Sequence, residues 1–261
     1  MHGTGTLYRR RLSVTTKTLS GTIGTTVLPV LWILVIAPAL DKALGGFNPN
    51  IDYYTFLAVA QITFVVPFTA MFNGLNVILD RQFGITRELL VAPIARGVIP
   101  IANSAAVTTI ALFQTVLIIG LAILRGANFT VRWNSFVIVV ILLASTVYGV
   151  AEILALKVNR QEAYGPLIAA VGVAPWFISG ALFPLTALAA IPQALSRFLP
   201  WTHALSVLRY GLMNMKSSGL GNIWGFGTAT QKALMSLAYL TVCGAASLFL
   251  AAKVFRKTMQ Q

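Results

Sequence analysis

Six long apolar runs, almost free of charged residues, alternate with polar connections along this chain of 261 residues. Each run holds at least 18 residues, and a helix needs roughly 17–25 residues to cross a bilayer. Backbone groups in lipid must bond within their own segment, and a barrel would show short alternating segments, so the runs predict six transmembrane helices. They cover residues 23–40, 53–79, 98–124, 133–156, 163–185 and 233–252.

Charged residues are confined to the connections and to the two ends of the chain. The sequence has 19 Lys and Arg and 6 Asp and Glu residues, and among these only Glu152 lies within an apolar run. Only 10% of the residues are charged, whereas soluble domains have about 25%. We therefore predict an all-α integral membrane protein with a single transmembrane domain over residues 1–261.

The net charge of +13 does not indicate nucleic-acid binding, because the basic residues are scattered over the flanks of the apolar runs. Membrane topology and anionic lipid explain this charge better. With the amino terminus placed inside, 12 Lys and Arg residues fall on the inner side and 7 on the outer side. Four of the seven belong to the long fifth connection, where the positive-inside rule has least force. Both termini are predicted to be cytoplasmic.

The segment before the first run, residues 1–20, is basic and weakly amphipathic. Tyr8, Leu12, Thr15 and Leu19 recur at roughly helical spacing beside a cluster of arginines. This pattern is typical of a helix lying in the membrane interface. A disordered basic tail is the alternative that the sequence leaves open.

A charged connector, residues 80–97, joins the second and third runs. Gly84 relaxes the backbone at one end and Pro93 disfavours helix just before itself, so the two can bracket a short helix. Ile85 and Leu89 would share one face of that helix at i,i+4 spacing. Such a helix could place an apolar ridge in a soluble partner, although a solvated loop on the lipid headgroups fits the same charges. The connector carries Asp80, Arg81, Gly84, Ile85, Arg87, Glu88, Leu89, Leu90 and Pro93 as candidate contact residues.

Motifs for catalysis or metal binding are absent from the sequence. His2 and His203 have no Cys, Asp or Glu neighbours at ligand spacing, so they do not make a metal site. The glycine-rich stretch at residues 219–227 lacks the Lys-Ser/Thr pair that follows a phosphate-binding loop. Energy for any transport must therefore come from a source other than ATP bound by this chain.

Two segments resemble those of type-2 ABC exporter permeases, and the likeness extends over essentially the whole chain. The connector matches the family's cytoplasmic loop, with Ile85 in place of the usual Thr. Residues 199–202 are Leu-Pro-Trp-Thr, where Asn-Pro-Leu-Thr is more usual. The loop is matched at Asp80, Arg81, Gly84, Leu89, Leu90 and Pro93, and the segment after the fifth run at Ser179, Gly180, Phe183, Pro184, Pro192, Pro200 and Arg209. The chain is most similar to the daunorubicin/doxorubicin type of drug-export permease.

This resemblance implies a non-enzymatic permease that works as a homodimer or as a heterodimer with a related permease. Two copies of a cytoplasmic ABC ATPase would bind ATP and Mg²⁺, and the permease itself would bind no cofactor. The connector would be the coupling helix, and residues 186–232 would form extracytoplasmic helices that dip back into the membrane. The expected setting is a bacterial inner membrane, and the expected task is export of a drug, an antibiotic or a lipid-like substrate, as in multidrug efflux and antibiotic resistance.

In similar exporters the second and fifth spans line the substrate path. Here the second run carries Phe64, Phe68, Phe72 and Asn76 at successive i,i+4 positions, with Gln61 and Asn73 nearby. In the fifth run, Trp176, Ser179, Gly180 and Phe183 can share a face. The resemblance makes these residues candidates for contact with an apolar or amphipathic substrate. Ordinary packing or lipid-facing surface is the alternative for any one of them.

Glu152 lies about five residues, or ~7.5 Å, from the cytoplasmic end of its run. Acids within membrane spans are costly and are often functional, which makes Glu152 a candidate for gating or for holding a neighbouring helix. Its nearness to Lys157 also permits a solvated or paired carboxylate.

Other functions remain open on the sequence alone. Similar permeases also export lipid-linked glycans and polysaccharides. An ion-coupled secondary transporter would normally show internal repeats and several buried charges, which this chain does not show. A membrane scaffold subunit would not need the charged connector.

Overall fold

The computed structural model describes residues 2–17, 19–44, 53–91, 95–129, 133–158, 160–182, 185–213 and 223–258. These residues form helices and connecting turns and include no strand, in agreement with the predicted all-α class. Three residues singled out in the sequence, Pro93, Phe183 and Pro184, lie outside the described ranges.

The first half of the described chain contains the charged connector and the helices on either side of it. Helix α1 covers His2–Lys17, and α2, at Leu19–Leu31, continues through a π-helical turn at Trp32–Ile36 into α3 at Ala37–Leu44. Helices α4, α5 and α6 cover Tyr53–Gln82, Ile85–Val91 and Val98–Leu124.

The second half begins with a long helix, α7, at Trp133–Lys157. Helix α8 at Gln161–Leu167, a π-helical turn at Ile168–Val173 and α9 at Ala174–Ile178 follow one another without a break. A 3-10 turn at Leu185–Ala187 and the short helices α10, Ala190–Ser196, and α11, Pro200–Leu212, precede α12 at Ala229–Thr258.

Within the described part of the chain, five helical segments are long and apolar enough to cross a membrane. They are Ile23–Ala43, Tyr54–Gln82, Val98–Leu124, Phe136–Lys157 and Ala229–Thr258, and they overlap five of the six predicted spans. The sixth, predicted at 163–185, is divided among α8, the π turn and α9, and its helix ends at Ile178. Pro166 and Pro175 each lack the N–H that an uninterrupted helical ladder needs. The protein is multi-pass, and the six-span topology stays a prediction.

Helix α4 forms the centre of the bundle. Its most apolar window is 83% buried, against 22% for the first span and 28% for the last. It packs against α6, α7 and α11, and a helix that is apolar around its whole circumference needs such neighbours on every side. The candidate path residues predicted on α4 therefore lie on a helix held from several directions.

Helices α7 and α12 approach each other closely through small residues. A Cβ added at Gly149 would lie 2.6 Å from the carbonyl carbon of Ser247. Gly244, Ser247 and Ala251 form one buried stripe of α12 at three- and four-residue spacing. Small residues let helix backbones approach in lipid, where association depends on close packing rather than on water.

The connection between α9 and α12 contains short helices, and its α11 is almost entirely buried. Residues 201–209 are all buried, and the ring of His203 stacks on that of Tyr239 in α12 at a centroid distance of 4.2 Å. His203 also hydrogen-bonds to the Ser236 hydroxyl through Nδ1 at 3.1 Å. These contacts fix α11 to the last helix, and its depth in the membrane stays a prediction.

We predict that Gly149→Ala destabilises the bundle by about 1–3 kcal/mol, the usual cost of overpacking, because its new Cβ meets backbone atoms. Gly120→Ala in α6 is the matched control, since a Cβ at Gly120 meets nothing within 4 Å. Thermal unfolding of the detergent-purified variants measures both effects. Equal melting temperatures for the two variants would contradict the close approach of α7 and α12.

Candidate functional site

The charged connector begins inside α4 rather than after it. Helix α4 continues through Asp80 and Arg81 to Gln82, so the prediction that placed both residues in the loop is corrected. Gly84 then adopts a positive φ of 74°, a conformation that glycine reaches at little cost. This turn starts α5, which holds Ile85, Arg87, Glu88, Leu89 and Leu90.

Asp80 is buried between two arginines of α1. Its Oδ2 accepts a hydrogen bond from Nη2 of Arg11 at 2.7 Å, and its Oδ1 accepts one from Nη2 of Arg10 at 2.9 Å. The guanidinium of Arg11, only 3% exposed, also donates from Nε to Oδ1 of Asn103 in α6. A carboxylate withdrawn from water requires such partners, so Asp80 joins α1, α4 and α6 instead of facing a soluble partner.

Arg81 is also directed into the protein. Its Nη1 donates to the backbone carbonyls of Ala155 at 3.2 Å and Leu156 at 3.0 Å, in the last turn of α7. Carbonyls at a helix C-terminus lack intrahelical partners and carry partial negative charge, so a guanidinium stabilises them. The prediction that Arg81 borders the docking surface is therefore corrected, since this side chain fastens α4 to α7.

Helix α1 contributes a buried polar face to the same end of the bundle. Leu7, Arg11 and Thr15, spaced four residues apart, are all buried. The hydroxyl of Thr15 lies 3.0 Å from Oδ1 of Asn73, which also accepts from Nδ2 of Asn76 at 3.1 Å. The amino-terminal segment is thus helical and docked, in contrast to the disordered-tail alternative, and the two asparagines serve this docking rather than the aromatic stripe.

The surface of α5 differs from the predicted docking ridge. Ile85 and Leu89 are half-buried, and Leu89 packs against the hydrophobic core. Glu88 is exposed, and so are two apolar side chains, Val91 of α5, at 88%, and Phe83 of the turn before α5, at 74%. The sequence reasoning missed these two because it looked only for an i,i+4 pair between Gly84 and Pro93.

The aromatic residues predicted to share a face do come together. The ring of Phe64 stacks on that of Phe68 at 5.4 Å and meets the Trp176 indole edge-on at 5.2 Å, while Phe68 and Phe72 are 6.3 Å apart. Trp32, in the π turn after α2, joins the cluster at 5.8 Å from Trp176. Phe64 and Trp176 are buried, and Phe68 and Phe72 are half-buried.

Polar groups fix the position of Trp176 and leave one amide beside the cluster without a partner. The indole Nε1 of Trp176 donates to the Ala60 carbonyl at 2.9 Å, and the Ser179 hydroxyl donates to the Trp176 carbonyl at 2.6 Å. Gln61, one turn before Phe64, is fully buried, and within the described structure neither atom of its amide has a hydrogen-bond partner.

Arg209 of α11 holds the turn that follows α9. Its Nη1 and Nη2 donate to the carbonyls of Gly180 and Ala181, each at 3.0 Å, and its guanidinium lies 4.2 Å from the centre of the Phe56 ring. A buried guanidinium requires acceptors and benefits from an aromatic face. The predicted path residue Gly180 is therefore in contact with this clamp through its backbone.

Glu152 is completely buried in α7. Within the described residues its carboxylate has no salt bridge, and its polar neighbour is the hydroxyl of Tyr148, one turn earlier. The charged groups near it are Arg11 and Asp80, while Lys157 is exposed. The interpretation of a solvated carboxylate, or of one paired with Lys157, is corrected.

In the part of the chain that the structure describes, no group of three His, Cys, Asp or Glu side chains is placed to hold a metal ion. The arrangement can hold helices together and transmit movement from one to another. A short exposed helix, α5, lies next to a set of buried polar contacts that join four helices, and an aromatic cluster lies farther along α4.

Comparison with known proteins identifies relatives over most of the chain. Residues 3–213 match the model of the ABC-2 type transporter family. Two relatives, from Porphyra purpurea and Pyropia yezoensis, are each provisionally named transport permease ycf38. Each is 28% identical over 189 residues, which cover 70% of this chain and 65% of the relative. The match thus spans a little less than two thirds of those relatives.

We predict that Asp80→Asn lowers the free energy of unfolding by about 3–5 kcal/mol, the cost of breaking a buried charge pair. Glu152→Gln is the matched control, since among the described residues this buried carboxylate has no salt bridge. This control should keep at least the wild-type stability, because an amide carries no charge to bury. Chemical unfolding in detergent measures both, and an equal loss in the two variants would contradict the assignment of Asp80 as the joining residue.

Proposed function

Because the chain belongs to the ABC-2 type transporter family, we propose that this transport permease is the transmembrane subunit of an ATP-driven exporter. The observation that carries the proposal is the exposed surface around α5, where Phe83 of the preceding turn and Glu88 and Val91 of α5 are exposed near a buried Arg11–Asp80 pair. An exposed apolar surface on a short, firmly anchored helix suits a soluble partner that exerts force on the bundle.

The proposed partner is a cytoplasmic ABC ATPase in two copies, beneath two copies of this permease or beneath this permease and a related one. ATP and Mg²⁺ belong to the ATPase, and the permease contributes no catalytic residue. Phe83 and Val91 would enter an apolar recess of the partner, with the Glu88 carboxylate at its border. We place both termini on the cytoplasmic side of a bacterial inner membrane, in line with the distribution of Lys and Arg.

Force applied to α5 passes into several helices at once. The turn at Gly84 leads directly into α4, whose Asp80 holds α1 and whose Arg81 holds the end of α7. These elements would move together, and rigid-body movement of one permease copy against the other would open the path alternately to the two sides.

The substrate path is assigned to the aromatic face of α4. Phe68 and Phe72 are the half-buried members of the cluster, so they are the ones that can meet a substrate while Phe64 and Trp176 support them. Gln61 lies behind them, fully buried, with an amide that has no hydrogen-bond partner among the described residues. This combination suits an apolar or amphipathic molecule, such as a drug, an antibiotic or a lipid-like compound, more than a polysaccharide.

We propose that Glu152 belongs to the packed interior and has no gating role, because it is fully buried in α7. The Gln variant distinguishes the two roles. Export equal to the wild type supports the structural role, and loss of export from a normally assembled permease supports gating.

The coupling proposal predicts that Phe83→Asp/Val91→Asp lowers the recovery of an ABC ATPase with the tagged, full-length permease by about tenfold or more, as for loss of an interface hot spot. Phe226→Asp is the matched control, because Phe226 is 68% exposed but precedes α12, far along the chain from α5. Co-purification followed by an assay of ATP hydrolysis measures the association. Transport that runs on a proton gradient, without any ATPase partner, would contradict the proposal.

A further inference from the structure

An apolar groove lies between α1, α2 and α6, away from the aromatic cluster. It encloses about 760 Å³. Its walls are formed by aliphatic and aromatic side chains, chiefly Val27, Val30 and Leu31 of α2 and Phe113, Leu117 and Leu121 of α6. Leu12 and Thr16 of α1 close one end.

The groove is longer than one membrane leaflet is thick. Its wall on α6 extends from Thr109 to Leu121, a distance of about 18 Å along the helix axis, whereas half of the hydrocarbon core is about 15 Å thick. Gln114 contacts Thr26 and Arg125 contacts Leu34, so α2 and α6 run side by side in the same direction. Because Arg125 directly follows the last residue of α6, the groove extends from the interface beside α1 past the middle of the bilayer.

The polar atoms along the groove are already engaged within the protein. Nε2 of Gln114 donates to the hydroxyls of Thr25 and Thr26 at 2.9 and 2.8 Å, and its Oε1 accepts from Thr69 at 2.7 Å. The hydroxyl of Thr109 hydrogen-bonds to that of Tyr8 at 3.0 Å. What remains exposed to an occupant is a hydrocarbon surface, which suits an alkyl chain better than a polar ligand.

Positive charge lies at the interfacial end of the groove. Arg9 is exposed and shares a face of α1 with Leu12 and Thr16 at i,i+3 and i,i+7 spacing. Asp80 binds Arg10 and Arg11 but not Arg9, and the first 40 residues of the sequence contain no acid. A symmetric dimer formed at this groove would bring the basic α1 helices of two copies together without acidic partners. Charge repulsion therefore favours a lipid over a second copy as the occupant.

We propose that the groove binds an acyl chain of an anionic phospholipid from the leaflet next to α1, with the headgroup phosphate held by Arg9. The apolar walls supply affinity for the chain, and the arginine supplies preference for a negatively charged headgroup. This site requires only that the protein is inserted in a membrane, so it does not depend on coupling to an ATPase.

The test counts motionally restricted lipids by electron paramagnetic resonance, using the full-length protein in phosphatidylcholine nanodiscs. The probes are spin-labelled phosphatidylglycerol and spin-labelled phosphatidylcholine, each labelled within the acyl chain. At this site the wild type is expected to prefer phosphatidylglycerol by about fivefold, the effect of one basic residue near an anionic surface. Arg9→Gln should bring that ratio close to one, whereas Arg160→Gln, at another exposed arginine, should leave it unchanged.

A second variant tests the groove itself. Leu117→Trp fills it and should remove the restricted lipid of both kinds, whereas Ile138→Trp, on a comparably exposed position of α7, should not. Leu117 and Ile138 are both exposed, so neither substitution is expected to prevent folding. Equal counts of the two lipids in the wild type, unaffected by Leu117→Trp, would overturn the proposal. The proposal would also be overturned if Leu117→Trp left the lipid counts unchanged but abolished a dimer seen by native mass spectrometry. A second copy of the chain would then be the occupant of the groove.

Discussion

The contact between Asp80 and the two arginines of α1 is the constraint on which the rest of this arrangement depends. A carboxylate near the end of a buried helix is stable only with donors close by, and Arg10 and Arg11 supply them at 2.9 and 2.7 Å. Because Arg11 also reaches Asn103, one pair of charges fixes the position of α1 on α4 and α6. An amphipathic segment that could have remained on the membrane surface is thereby made part of the bundle.

The neighbouring residues extend this constraint to the other elements. Arg81 binds the terminal carbonyls of α7, and α7 is itself held to α12 by the close approach at Gly149. The positive φ of Gly84 then turns the chain into α5, and Phe83 before this turn and Val91 at the end of α5 are both exposed. The ion pair, the capping contact and the turn all lie within a few consecutive residues, so four helices meet next to one short surface.

Much of the helix layout follows from the sequence because apolar length and charge segregation are local properties. The aromatic cluster was also predictable, since Phe64, Phe68 and Phe72 repeat at four-residue spacing. The partner of Asp80 was not predictable, because Arg11 lies 69 residues away in the sequence. Nothing in the local sequence distinguishes Arg11 from the exposed Arg9. The divided helix at 161–178 was expected as a single span because hydropathy takes no account of Pro166 and Pro175. The isolation of Glu152 depends on how α7 packs, which periodicity does not show.

The central claim is that the Arg11–Asp80 contact makes α1 and the end of α4 one rigid unit during transport. Spin labels at Ser13 and Gln82, both exposed, in a chain with Cys243 replaced, allow distances to be measured by pulsed electron resonance in the assembled complex with and without ATP. The account predicts an unchanged distance between Ser13 and Gln82 within one copy and a changed distance between the Gln82 positions of the two copies. A changed distance within one copy, with the distance between copies constant, would contradict it.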